Sequence, residues 1–308
     1  MKKKWIMLGS AVGISSIVMV TTGFSALAST SGYDAYKSAL KNTKTIQNVA
    51  VQAAASLQDN GKELANASGN FKLSLSSEAA SGTAKVTANG TDQSLSFYKQ
   101  ANQTVLKSDT SDVYFVSQEL EKRHKNDKAD KTANETEIPQ QVETVIDALV
   151  GNMKDFVAVD TKADGSKDIS VQLNNAQIPT VVNALAPIAL KEATKDEHDG
   201  EKAANGANAN KLPFNEDFLK TAAPQLTQDI KIENVSIKAT VNASNYISHQ
   251  EADLTVSGKD DSGVAHQVTL HLQADLSDYN NTTPDTIDLT GKTVQNVKHD
   301  KHGHDANE

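Results

Sequence analysis

The chain has 308 residues, a formal net charge of −9 and no cysteine. The lack of cysteine excludes disulfides, thiolate metal sites and acylation at a lipoprotein cysteine. The acidic balance disfavours nucleic acid and anionic membrane surfaces as partners. Trp5 is the single tryptophan and lies in the N-terminal segment, so a carbohydrate site built on tryptophan platforms is not expected in the rest of the chain.

The first 28 residues have the pattern of a secretory signal. Three lysines at 2–4 precede an apolar stretch from Trp5 to Val20, and Ala26-Leu27-Ala28 has the small-x-small spacing of a cleavage site. We therefore expect cleavage near Ala28 and an extracytoplasmic protein, either secreted or associated with the cell wall or membrane. An uncleaved anchor is the alternative, although Gly, Ser and Thr dilute the apolar stretch. No later segment approaches about 18 apolar residues, so no transmembrane segment is expected after cleavage.

A helix followed by an antiparallel meander is predicted for the first third of the mature chain. Ser29-Thr30-Ser31 offers N-caps for a helix from Tyr33 to about Thr43. Period-two alternation then predicts short strands, and Asn60-Gly61 and Asn89-Gly90 are typical hairpin turns. Two-residue turns join antiparallel strands only. The predicted strands lie at 49–57, 71–75, 84–88, 95–97, near 105 and at 113–116.

Helical and charged segments alternate in the middle of the chain. Residues 117–137 and 194–213 are rich in charged and small residues and are expected to be mobile. The apolar period changes to that of a helix at 138–155, 178–192 and about 215–228, although Pro224 lies inside the last of these. A hairpin is predicted between the first two helices, with strands at 157–159 and 169–173.

Three longer strands follow, at 230–241, 252–256 and 264–276. In "VAHQVTLHLQADL", from Val264 to Leu276, every even position is apolar or histidine and every odd position is small or polar. This period predicts a strand with one dry and one wet face. Residues 298–308 form a polar, histidine-rich tail that is expected to be disordered.

These elements predict an α+β fold in which a curved antiparallel β-sheet, an open half-barrel, covers a few amphipathic helices. We expect a single domain over residues 29–297. A two-domain division near 194–213 is the alternative. We prefer one sheet built from both halves, because three late strands make a poor independent domain.

The order of the elements resembles that of the lipoprotein-carrier-like superfamily, the LolA, LolB and LppX type, in a Gram-positive exported form. The matching features are the helix in "YDAYKSALKNTKTI", the meander, two helices, and the closing strands that end in "TTPDTIDLTGKTVQ". The resemblance implies a sheet wrapped around helices with a gap that a lipid can enter, and no catalytic residues. The missing cysteine is a departure, because many envelope members are lipoproteins.

We therefore expect an exported, non-enzymatic binding protein that holds a lipid or other apolar ligand between sheet and helices. The alternative is a structural or interaction protein of the cell envelope with a filled core, whose partner would be another envelope protein. An apolar ligand and an apolar helix make the same demand on a sheet face, so both functions stay open. The candidate cavity-lining residues are Phe71, Leu73, Phe97, Phe115, Leu254, His266, Val268 and Leu270.

His266 is the polar member of this set. It is expected either to be hydrogen-bonded at the rim of the sheet or to act as a polar handle at the mouth of an apolar pocket.

No cofactor and no catalytic site are predicted. Ser38 and Lys41 match an S-x-x-K motif, but the K-T-G element that should accompany it is absent. His299, His302 and His304 are the candidates for metal binding, although a flexible tail must be ordered to bind an ion. We therefore expect no resident metal.

Overall fold

The computed structural model describes residues 31–100, 102–118, 156–180, 182–184 and 223–297. The predicted signal segment, the helix at 138–155, the segment at 194–213 and the tail at 298–308 lie outside the described residues. So do most of the segments predicted at 117–137, 178–192 and 215–228.

Twelve strands dominate the described part of the chain, together with the helix α1 (Ser31–Thr43) and a 3₁₀ turn (Asn175–Gln177). The strands are β1 (Asn48–Asp59), β2 (Lys62–Ser74), β3 (Ala79–Ala88), β4 (Thr91–Gln100), β5 (Gln103–Ser108), β6 (Tyr114–Gln118), β7 (Ala158–Thr161), β8 (Lys167–Asn174), β9 (Gln228–Val241), β10 (Ile247–Lys259), β11 (Ala265–Ser277) and β12 (Val294–Asn296).

All twelve strands belong to one open sheet, in the order β12-β6-β5-β4-β3-β2-β1-β11-β10-β9-β8-β7. Strands from both sides of residues 194–213 therefore share the sheet.

The predicted meander and the late hairpin of β10 and β11 are confirmed. The expectation of a large sheet accompanied by helix is confirmed. The described residues are, however, mostly in β-strands. The predicted antiparallel pairing is found throughout the sheet except at one edge, where β12 pairs with β6 in parallel.

The tight turns follow the sequence signals. Asn60 and Gly61 have φ values of 50° and 78°, and Asn89 and Gly90 have values of 50° and 74°. Two successive positive φ angles define the type I′ turn, whose twist matches that of the flanking strands. These turns set the register of β1 with β2 and of β3 with β4.

The helix α1 packs against one end of the sheet. Its buried residues Tyr36, Ala39 and Leu40 contact side chains of β8, β9 and β10. These partners are Ile169, Ala239, Val241 and Ile247. The apolar stripe of α1 is thereby buried, as the i, i+3, i+4 spacing requires.

Phe71 fills the centre of the meander. It is 2% exposed, and its ring centroid lies 5.9 Å from that of Phe97. Gly82, directly opposite Phe71, leaves room for the ring, because a Cβ atom there would lie 2.5 Å from Phe71 Cδ1 and 2.6 Å from the Asn70 carbonyl oxygen. The glycine is needed for close approach and not for an unusual φ angle.

Residues 282–297, which we call the C-terminal strap, cross the meander on the face opposite Phe71. The Thr282 amide donates to Asn48 Oδ1 at 2.6 Å, and Asp285 accepts a bond from Lys72 and receives another from Ser81. Further on, the Ile287 amide donates to Gln100 Oε1 at 2.8 Å. The strap ends in β12 and bonds to Ser81, which is almost fully buried on that face, as are Val105 and Val116.

Two predicted boundaries differ from the structure. The predicted C-terminal boundary of the helix at about 215–228 is wrong, because residues 223–227 are not helical and β9 begins at Gln228. Pro224 accounts for this, since it cannot continue a helix interior and pushes the preceding residue toward extended conformations. Residues 117–118 belong to β6 instead of a mobile segment.

We predict that Gly82→Ala lowers the free energy of unfolding by about 1–3 kcal/mol, because the new methyl group must displace the Phe71 ring and a backbone carbonyl. Gly258→Ala is the matched control, since its nearest atom would lie at 3.2 Å. Urea denaturation measures both. A loss in Gly82→Ala no larger than in Gly258→Ala would contradict the packing role assigned to this glycine.

Candidate functional site

The strand register places all eight predicted cavity residues on one face of the sheet, which we call the apolar face. Directly opposed residues of an antiparallel pair point to the same side. Phe71 lies opposite Gly82, Gly82 opposite Phe97, Phe97 opposite Leu106, and Leu106 opposite Phe115.

The same face continues through β1 into the late strands. Val51 of β1 lies opposite Phe71 on one side and Leu276 on the other. In the next pair, Leu270 lies opposite Leu254 and Val268 opposite Val256. Residues two apart in a strand lie on the same face, so His266 lies on the apolar face with Val268 and Leu270.

Burial divides the candidates into two groups. Phe71 and its neighbours Leu73 and Phe97 form a packed cluster with Ile46, Val49 and Val51. Leu254, Val268 and Leu270 are half-buried, as is Phe115 at the other end of the sheet. The aromatic end is therefore a core, whereas the aliphatic surface of β10 and β11 retains contact with solvent.

A shallow depression lies on the apolar face of β9, β10 and β11. Its cavity volume is about 20 Å³, roughly the space of one water molecule, and it is lined by Ile237, Gln250, Ala252, Leu272 and Ala274 together with the intervening residues Glu251 and Gln273. Leu254 and Leu270 lie two positions along the same strands and continue this surface. The depression is thus part of the half-buried aliphatic region.

One polar side chain in the depression is fully engaged. Gln250 is buried and donates a 2.7 Å hydrogen bond from Nε2 to the hydroxyl of Tyr36 in α1. Burial raises the pKa of Tyr36 to about 12, so the phenol stays neutral at ordinary pH. This bond fixes the helix beside the depression.

His266 lies at the end of the apolar face and contacts two carboxylates. Its Nδ1 is 2.8 Å from Asp59 Oδ2, and its Nε2 is 3.6 Å from Asp260 Oδ2. The hydrogen bond to Asp59 is the main cause that raises the pKa of His266. Asp59 Oδ1 and His266 Nε2 are buried and have no hydrogen-bond partner in the described part of the chain. The site is therefore a largely buried, acidic polar end to an otherwise apolar surface.

Sequence reasoning missed a cluster on the opposite face of β10 and β11, which we call the outer face. His249 Nδ1 lies 2.7 Å from Asp275, and His271 Nδ1 lies 2.7 Å from Asp253. Glu251 stands between the pairs, 4.0 Å from each imidazole. The spacing His249-x-Glu251-x-Asp253 was the available signal, but its partners depend on a register that the sequence does not state. The tail candidates His299, His302 and His304 lie outside the described residues.

Comparison with known proteins gives no family assignment. No family model matches the sequence, and no curated protein does. Among solved structures, a DUF1329 family protein from Desulfovibrio piger is similar at 9% sequence identity and a TM-score of 0.20. The alignment covers 81% of this chain and 92% of the Desulfovibrio piger chain. Similarity at that level carries no argument about fold or function. Within the described ranges, no helix combines the length and apolar character needed to cross a bilayer.

We predict that His266 titrates above the ordinary value of about 6.5 and that Asp59→Asn lowers its pKa. Asp260→Asn should lower it less, because that carboxylate lies farther away at 3.6 Å. NMR titration of the imidazole Cε1–H signal measures both changes. A His266 pKa at or below 6.5 in the unaltered protein contradicts the assignment.

The same bond makes stability depend on pH. A raised pKa in the folded state means that the charged pair contributes fully below about pH 6.5 and loses its contribution as the pH rises through the raised value. The stability difference between the unaltered protein and His266→Gln should therefore shrink with rising pH in thermal melts. A difference that grows with pH would refute this.

Proposed function

We propose that this protein is an exported, non-enzymatic binding protein that holds a lipid or another apolar ligand against the apolar face of its sheet. The observation that carries the proposal is the half-buried aliphatic surface of β10 and β11, with Leu254, Val268 and Leu270 beside the depression. The curved half-barrel of the lipoprotein-carrier-like superfamily is part of this proposal, and the open sheet order supports it.

The energetics suit an acyl chain. Removing apolar surface from water contributes about 25 cal/mol per Å², so each 100 Å² contributes about 2.5 kcal/mol. The aliphatic side chains supply contacts without hydrogen-bonding demands, and Gln250 is already satisfied by Tyr36. A ligand chain on this surface would therefore leave the Nε2 group of Gln250 paired.

The His266 end would set the polarity of the ligand head. A protonated His266 between Asp59 and Asp260 leaves a net charge of −1, since two carboxylates face one imidazolium. A neutral or cationic head is favoured there over a carboxylate or phosphate. Asp59 Oδ1 can accept a hydrogen bond and a protonated His266 Nε2 can donate one, so a head bearing a hydroxyl, which both donates and accepts, would satisfy both atoms.

Native mass spectrometry tests whether a ligand is bound. The protein is secreted from a Gram-positive host, as residues 29–308 if cleavage follows Ala28, and is measured before and after organic extraction. A stoichiometric adduct that extraction releases as a lipid supports the proposal. A bare mass that stays unchanged after incubation with membrane lipids overturns it. The protein would then be assigned to the alternative class, an envelope interaction protein with a filled core.

We predict that Leu270→Asn weakens binding of a fluorescent acyl-chain probe on the order of 10- to 100-fold, because losing the burial of one leucine side chain costs about 1.5–3 kcal/mol. Thr269→Asn is the matched control, since residue 269 lies on the outer face of the same strand. Fluorescence titration measures both, with circular dichroism to verify folding. Equal affinities for the two variants would place the ligand elsewhere.

A further inference from the structure

A compact set of metal-ligating side chains lies on the outer face, away from the proposed ligand surface. Glu251, Asp253 and His271 each offer one ligand atom, and these atoms all lie within 4.8 Å of one another. We infer that these three residues form a binding site for a divalent transition metal of the zinc class. The inference is independent of the proposed function, because the two faces of β10 and β11 expose alternate residues.

The donor set selects the class of ion. One imidazole nitrogen with two carboxylate oxygens suits Zn²⁺ and its neighbours, whereas Ca²⁺ and Mg²⁺ prefer oxygen ligands alone. Water would complete the coordination shell on the solvent side, since the three side chains remain 25%, 27% and 31% exposed.

The distances are close to those an ion requires. Donors around a tetrahedral Zn²⁺ lie about 3.4 Å apart, given metal–ligand bonds of about 2.0–2.2 Å. His271 Nδ1 lies 2.7 Å from Asp253 Oδ1 and 4.0 Å from Glu251 Oε1. Small side-chain rotations that lengthen the first distance and shorten the second would equalise them. Binding of an ion between the three atoms requires the neutral tautomer of His271 that carries its proton on Nε2, so that the Nδ1 lone pair faces the ion and Asp253 Oδ1 becomes a metal ligand.

The backbone holds this set in place. Asp253 and His271 are direct cross-strand partners, and Glu251 precedes Asp253 by two residues on the same face. Both strands are interior, with β9 on one side of the hairpin and β1 on the other. Ligands on interior strands are pre-organised, which reduces the entropy lost on binding.

The surrounding charges favour a cation. Glu251 and Asp253 are joined nearby by Asp275, and Lys238 lies 3.4 Å from Glu251 Oε2. With neutral imidazoles, three carboxylates and one ammonium leave a net charge of −2. A divalent ion neutralises this charge with Lys238 in place.

The test uses the full chain as isolated from a Gram-positive host, with His299, His302 and His304 replaced by Gln so that the tail supplies no ligands. Zn²⁺ binding is measured by competition with a chromophoric chelator. We expect His271→Gln and Asp253→Asn each to weaken binding of one Zn²⁺ on the order of 10- to 100-fold. Gln267→Ala, a change at an exposed outer-face residue of the same strand, should leave the affinity unchanged.

Other outcomes overturn the site. These are no stoichiometric Zn²⁺ binding in the tail-substituted chain, no loss in His271→Gln, or displacement of the ion by equimolar Ca²⁺. His249→Gln is the sharpest control, because His249 is also hydrogen-bonded to an aspartate and also lies 4.0 Å from Glu251. A loss in His249→Gln equal to that in His271→Gln would refute the assigned triad. Circular dichroism of each variant separates lost binding from lost folding, and Co²⁺ absorption in the visible region provides a second readout of the ligand set.

Discussion

The pairing of β1 with β11 is the constraint on which the rest of the structure depends. It runs from Ala50 opposite Ser277 to Asp59 opposite Val268 and joins the meander to the late strands. Without it the strands would form two separate sheets. Because side chains alternate with a period of two, this one register also aligns the apolar faces of both halves, and a slip by one residue would turn one half inside out.

The outer face of the same sheet is stabilised in two different ways. Over the meander, the C-terminal strap covers the strands and supplies hydrogen bonds to Asn48, Ser81 and Gln100. Over β10 and β11 the described strap makes no such cover, and charged cross-strand pairs occupy the surface. The histidines there are consequently accessible, whereas Ser81 is buried.

Alternation in the sequence was enough to predict which residues share a face, but not which residues are neighbours on it. The strands of the meander and the late hairpin were predicted because period two persists along each of them. The pairing of His271 with Asp253 could not be predicted, since register between distant strands leaves no local signal. The strap was missed for a related reason, because residues 282–297 are held largely by side-chain hydrogen bonds and by the short strand β12, and show no period.

The division between packed aromatic and open aliphatic residues follows from the glycines of the meander. Gly69 and Gly82 let the Phe71 ring lie against the backbone, so the ring fills its own part of the apolar face. In β10 and β11 the apolar face carries Leu254 and Leu270, which are half-buried. An apolar surface that no aromatic ring of its own strands closes must be covered by another part of the chain or by a ligand. The choice between these two occupants is therefore decided at Leu270 and not at Phe71.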